Sequence, residues 1–119
     1  MTQHRLSMSA QADITRILDW SSENFGEAAE ARYAALIAAA IRHAASRTNN
    51  IGFAAHPEYG DGVLTWHLAL SAEQSRGGPV RRPRHVLVCR REGDVLAIGR
   101  VLHDSMDPSR HLARETDWD

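Results

Sequence analysis

Arginine and histidine carry nearly all the chemistry this chain could offer. Its 14 basic residues are all arginine, and six of them, Arg76, Arg81, Arg82, Arg84, Arg90 and Arg91, fall within sixteen residues interleaved with glycine and proline. Guanidinium groups grip phosphate or carboxylate in forked pairs, so this cluster could hold a nucleic-acid backbone or the acidic side of a protein partner. Few aromatic residues are available to stack bases, which makes a partner's carboxylates the preferred ligand. The competing structural account is a solvated loop and strand end whose arginines discourage edge pairing.

The seven histidines, His4, His43, His56, His67, His85, His103 and His111, include no pair at zinc-ligand spacing and no HExxH, so no metal site is expected. No glycine-rich phosphate loop, nucleophile elbow or Cys/His nucleophile pattern is present. No catalytic residue and no cofactor are therefore assigned. Arg100, His103, Arg110 and His111 form a second basic group at the end of the chain, suited either to contacting a target or to C-terminal packing. Asp107 before Pro108 reads as the cap of a helical turn. Cys89 stands alone in an apolar run, reads as a small core hydrophobe, and points to a reducing compartment.

The chain has 119 residues, 43% of them apolar and 24% charged, which suits one compact domain over 1–119. A core of about 5–112 is expected, followed by an acidic tail, 113–119. The formal net charge of -1 implies no polyanion partner by itself. The N-terminus lacks the apolar core of a signal peptide, and the most apolar stretch, Leu36 to Ala45, is interrupted by Arg42 and His43. A soluble cytoplasmic protein with no membrane association is expected.

These side chains need elements to position them. Leu6 and Met8 alternate with polar neighbours as a short first strand, and Ser9 is placed to cap the helix that follows. Ile14, Ile17, Leu18 and Phe25 then form one stripe of a helix over 10–25, stopped by Gly26. Trp20 falls off that stripe, so it either covers the side of a neighbouring helix, the favoured reading, or is left for a partner. A second helix over 27–46 has a face of large residues for a sheet and an alanine face, Ala28, Ala31, Ala35 and Ala39, that would admit the first helix closely. After an aperiodic loop over 47–62, three strands are expected at 63–70, 85–91 and 95–102. The order β-α-α-β-β-β argues an α+β domain with a helical hairpin on one face of a mainly antiparallel sheet, the other face being left to solvent or a partner.

The runs Arg84-His85-Val86-Leu87-Val88-Cys89-Arg90 and Val95 to His103, followed by Met106-Asp107 and Arg110-His111-Leu112, are similar to the C-terminal half of ParE toxins of the RelE/ParE superfamily. The first half agrees, with a Ser-x-x-Ala-Asp helix start, an aromatic-Gly-Glu break and an alanine-rich helix containing Arg32-Tyr33. The resemblance spans about Leu6 to Leu112. It implies the RelE/ParE fold, a ParD-like antitoxin that wraps the toxin, operator DNA reached only through that antitoxin, and DNA gyrase as the target.

By the same resemblance, Arg100, His103, Met106, Arg110 and His111 are the candidate target contacts. Trp20 and Leu36, on an exposed apolar surface, and Arg81, Arg82, Arg84 and Arg90 are the candidate antitoxin contacts. The related RelE branch cleaves messenger RNA on the ribosome, which requires a general base and cationic stabilisation of the transition state. Here that region offers His85, His103 and Asp104, no tyrosine follows Tyr59, and the Asp104 carboxylate would repel phosphate. An inactive homologue retained as a binding module is a third reading. The chain departs from the common ParE pattern in a longer loop over 71–83, in Val88-Cys89 replacing an aromatic pair, and in the acidic residues Glu115 to Asp119.

Overall fold

The computed structural model describes residues 3–112 and 118–119. Strand β1 (Gln3–Leu6) leads into helices α1 (Met8–Phe25) and α2 (Glu27–Ser46), then strands β2 (Ala54–Ala55), β3 (Leu64–His67), β4 (His85–Glu92) and β5 (Val95–His103). Short 3-10 turns occupy Pro57–Tyr59, Leu68–Gln74 and Pro108–Arg110. The sheet order is β1-β5-β4-β3-β2, with β1 parallel to β5 and every other pair antiparallel. This is the α+β arrangement expected, with one strand added: β2 is only two residues long, too short for any alternation to register.

The start of α1 differs from the expectation. Ser7, not Ser9, is the cap: its Oγ accepts from the Ala10 amide at 2.9 Å and donates to the Gly99 carbonyl at 2.6 Å. The strand ends at Leu6, and Met8, expected to point inward, is exposed as the first helical residue. Gly26, at φ 91, is the single residue between the two helices, a left-handed conformation that a side chain would strain. Phe25, expected on the buried stripe, is exposed at the last position of α1.

The large face of α2 meets the sheet as expected. Ile37, Ala40, Ile41 and Ala44 join Trp66, Leu68, Leu87, Cys89, Leu96, Ile98 and Val101 in the main core. The long β3–β4 loop lies against part of the alanine face: a Cβ on Gly77 would fall 2.6 Å from the Ala35 Cβ and 3.5 Å from the Ala31 carbonyl oxygen. Strand β3 also stops earlier than expected, because the His67 imidazole accepts from the Ala69 amide at 3.0 Å and turns the chain into a 3-10 segment.

Strands β4 and β5 pair along their whole length, with one irregularity: Val88 faces Arg100 and Cys89 faces Ile98, which leaves Gly99 as an extra residue in β5. The bulge shifts the alternation. Leu96, Ile98 and then Val101 face the helices, while Ala97 and then Leu102 face the other side. That other side was expected to be left to solvent or a partner, but the chain covers it itself. Val63, Val88, Ala97, Leu102 and Trp118 form a second cluster there, with Tyr59, Val86 and Leu112 packed against it. The expected acidic tail falls mostly on 113–117, outside the described residues, and Trp118 beyond them is buried.

Candidate partner-binding trough

A hollow of about 710 Å³ lies between the helical hairpin and the loop that enters β4. Helix α1 supplies Ile17, Trp20 and Phe25, α2 supplies Arg32 and Tyr33, and the loop supplies Val80, Arg81, Arg82 and Arg84. Trp20 and Phe25 are 57% and 68% exposed, and their rings meet edge to face at 5.5 Å. Trp20 was expected to cover a neighbouring helix, but it is mostly exposed and stands at the rim of the hollow. No carboxylate lines this hollow among the described residues, whereas four arginines do. Arg82 stands at φ 51, a left-handed conformation unusual for a side-chain-bearing residue.

A second hollow of about 540 Å³ runs between α1 and β5, lined by Asp13, Arg16, Arg100, Met106 and His111 among others. It shares Ile17, Trp20, His85 and His103 with the first, so the two form one continuous trough.

Tyr33 and His85, which line the first hollow, are polar and uncharged. The Tyr33 hydroxyl is hydrogen-bonded to His85 Nδ1 and accepts from the Arg84 amide at 3.3 Å. Burial pushes the Tyr33 phenol up to about 12, so it stays protonated and can donate. Burial, and then the neighbouring His103, push His85 down to about 4, so its ring is neutral at physiological pH. The rings of His85 and His103 meet edge to face at 5.4 Å. His103 Nδ1 accepts from the Ser105 amide at 3.1 Å. Beside them Asp104 is bridged by His67 at 3.1 Å and by Arg84, and these contacts hold its carboxyl below the usual range, the His67 hydrogen bond foremost.

Arg100 is tied down from several directions. Its Nε donates to Asp13 Oδ2 at 2.7 Å, Nη2 to Asp13 Oδ1 at 2.9 Å, and Nη1 to the His111 carbonyl at 2.8 Å. Asp13 is 4% exposed and also accepts from the Val101 amide at 2.9 Å. Beyond the reach of β1, the open edge of β5 is thus satisfied by side chains of the α1 end, Ser7 at Gly99 and Asp13 at Val101. The pair Asp13–Arg100 went unrecognised in the sequence, where Asp13 reads as one polar residue on an amphipathic helix.

The candidate residues separate into groups. Trp20, Arg81, Arg82 and Arg84 line the first hollow, and Arg100, His103, Met106 and His111 line the second. Arg110 is exposed in the last 3-10 turn, whose cap is Asp107 as expected, accepting from Ser109 at 3.0 Å. Arg90 stacks over Trp118 at 4.5 Å on the opposite face of the sheet, away from the trough. Leu36, expected on an exposed apolar surface, is fully buried instead, because its position on α2 puts it in the main core with Ile37, Ala40 and the inner face of the sheet.

Among the described residues no group of three or more His, Cys, Asp or Glu side chains could hold a metal ion. None of the described helices is long and apolar enough to cross a membrane. What the fold and the trough define is a class: a small α+β domain in which a helical hairpin and a sheet frame an open, arginine-lined surface.

Within that class, the chain belongs to the ParE toxin family of the type II toxin–antitoxin system parDE, whose family model matches residues 5–108. Membership implies a ParD antitoxin as partner. No curated protein matches the chain.

Proposed function

We propose that this toxin works by occupancy, not by chemistry: a ParD-like antitoxin segment lies in the trough and silences the protein, and the toxin released from it obstructs DNA gyrase. Operator DNA is reached only through the antitoxin. The observation that carries this reading is the continuity of the trough, in which exposed aromatic rings and four arginines adjoin His103, Met106 and His111. An open apolar surface with a cationic rim suits an amphipathic protein segment.

The ribonuclease reading draws less support from the same residues. A base for a 2′-hydroxyl needs a pKa near the working pH, and His85 is pushed down to about 4 with its Nδ1 already bonded to Tyr33. Asp104 places a carboxylate next to any phosphate that Arg84 would hold.

Supercoiling by purified gyrase tests the proposal. The wild-type toxin should inhibit it, the cognate antitoxin should relieve the inhibition, and a His103→Ala, Met106→Ala variant should inhibit at least about tenfold less, the loss expected for about 1.4 kcal/mol of contact. Arg100 is left intact, since it is bonded through two nitrogens to the buried Asp13 and its loss would disturb the fold. Cleaved messages with replication continuing would instead support the ribonuclease, and unaffected growth after induction without antitoxin would support a binding module.

A further inference from the structure

The outer face of the sheet carries a second built site, and its occupant is already in place. Gly99 is the bulged residue of β5, and a Cβ there would lie 2.8 Å, 2.9 Å and 3.1 Å from three ring atoms of Trp118. A glycine inside a long strand weakens it unless something must approach the backbone closely, and here the indole does. Arg90 closes the notch from above, with its guanidinium 4.5 Å from the ring centroid. Arg5 bonds the Trp118 carbonyl from the side. Both arginines are themselves held by Glu92, through ion pairs with Arg5 and, at 2.8 Å, with Arg90. These contacts come from β1, β4 and β5, so the notch exists only in the folded sheet.

We infer that this notch is an aromatic-binding site, specific for a flat indole, that the chain fills with its own Trp118 as a C-terminal latch. The indole lies on Val88, Ala97 and Leu102 and seals the second apolar face. The latch therefore leaves the trough on the helix side as the large apolar surface open to a macromolecule. An open outer face would expose a second sticky patch and a competing place for partners to bind.

Chemical rescue of the full-length chain tests the site with free indole as the probe. Trp118→Ala should lower the melting temperature by about 5 °C or more. Millimolar indole should recover most of that loss in Trp118→Ala and change the wild type little, since its notch is filled. Adding Gly99→Val to Trp118→Ala should abolish the rescue by filling the space the ring would take. Equal stabilisation of both proteins by indole, or rescue that survives Gly99→Val, would overturn the inference. Should Trp118→Ala not fold, Arg90→Gln reports instead: a loosened latch should speed removal of the C-terminal residues by carboxypeptidase severalfold with the fold intact, and an unchanged rate would count against the site.

Discussion

At the scale of single residues, the side chains that look most reactive in the sequence divide into those that hold the fold and those that face the trough. Arg100 belongs with the first. Its guanidinium meets both carboxylate oxygens of a nearly fully buried Asp13, which also accepts from the Val101 amide and pairs with Arg16, so neutralising that carboxylate weakens several charged contacts at once. Asp13→Asn should therefore destabilise the protein by about 3–5 kcal/mol, read as a fall in the urea midpoint at constant slope. A loss under about 1 kcal/mol, typical of exposed ion pairs, would show that solvent reaches the pair. His85 gives a pH effect whose sign follows from its environment. Burial lowers its pKa from 6.5 to about 4, so below 6.5 the unfolded chain takes up a proton that the folded chain refuses. The contribution of the neutral ring is intact above pH 6.5 and is lost progressively as pH falls towards 4. His85→Gln, which cannot titrate, should flatten the decline in urea midpoint between these values, and an unchanged decline would assign it to other groups.

Elements were legible where their periodicity was long, and illegible where a single contact decides the boundary. Helix α2 spans the expected residues, because twenty residues with a large face and a small face allow one phase only. The start of α1 was misplaced because Ser7 and Ser9 are equivalent as local caps, and the choice is made by the Gly99 carbonyl, ninety-two residues away in the chain. Likewise β3 ends at a His67 side-chain bond that no alternation encodes, and the notch over Gly99 needs a tryptophan nineteen residues further on, past the end of the strand pattern. The candidate site was readable as residue types, since Trp20 and the loop arginines do line the trough. It was not readable as geometry, since Leu36 and Arg90 are placed elsewhere by the fold. The Ser7 contact yields a test at this scale. Ser7→Ala removes both the cap and the partner of a buried carbonyl, and should cost about 2 kcal/mol by chemical denaturation. Ser9→Ala, which leaves the Ser7 cap and its bond to the Gly99 carbonyl in place, should cost less than Ser7→Ala. Equal losses at the two positions would mean that the strand and helix meet differently from the geometry described.

Over the whole molecule, near-neutral net charge conceals a segregated surface. The chain has 14 arginines against 15 carboxylates, yet the larger hollow is lined by Arg32, Arg81, Arg82 and Arg84 with no acidic residue among the described residues. Arg84 also pairs with Asp104 beside the hollow, and Arg5, Arg90 and Arg100 are paired with Glu92 or Asp13 on or behind the sheet. A field set by such local clustering steers an oppositely charged partner even when the total charge is close to zero. The encounter with an antitoxin should accordingly depend on salt, since the screening length shrinks from about 10 Å at 0.1 M to about 3 Å at 1 M. Stopped-flow association should slow by about tenfold or more over that range. An Arg81→Gln, Arg82→Gln, Arg84→Gln variant should start slow at low salt and respond weakly to added salt, because these side chains lie on the loop and bear little on the core. The dissociation rate should change less with salt than the association rate, since the exposed Trp20 and Phe25 rings hold the bound segment by contact, not by field. If the triple variant kept the wild-type salt dependence, the arginine rim would be a solvated loop surface and the antitoxin would recognise the trough through its apolar lining alone.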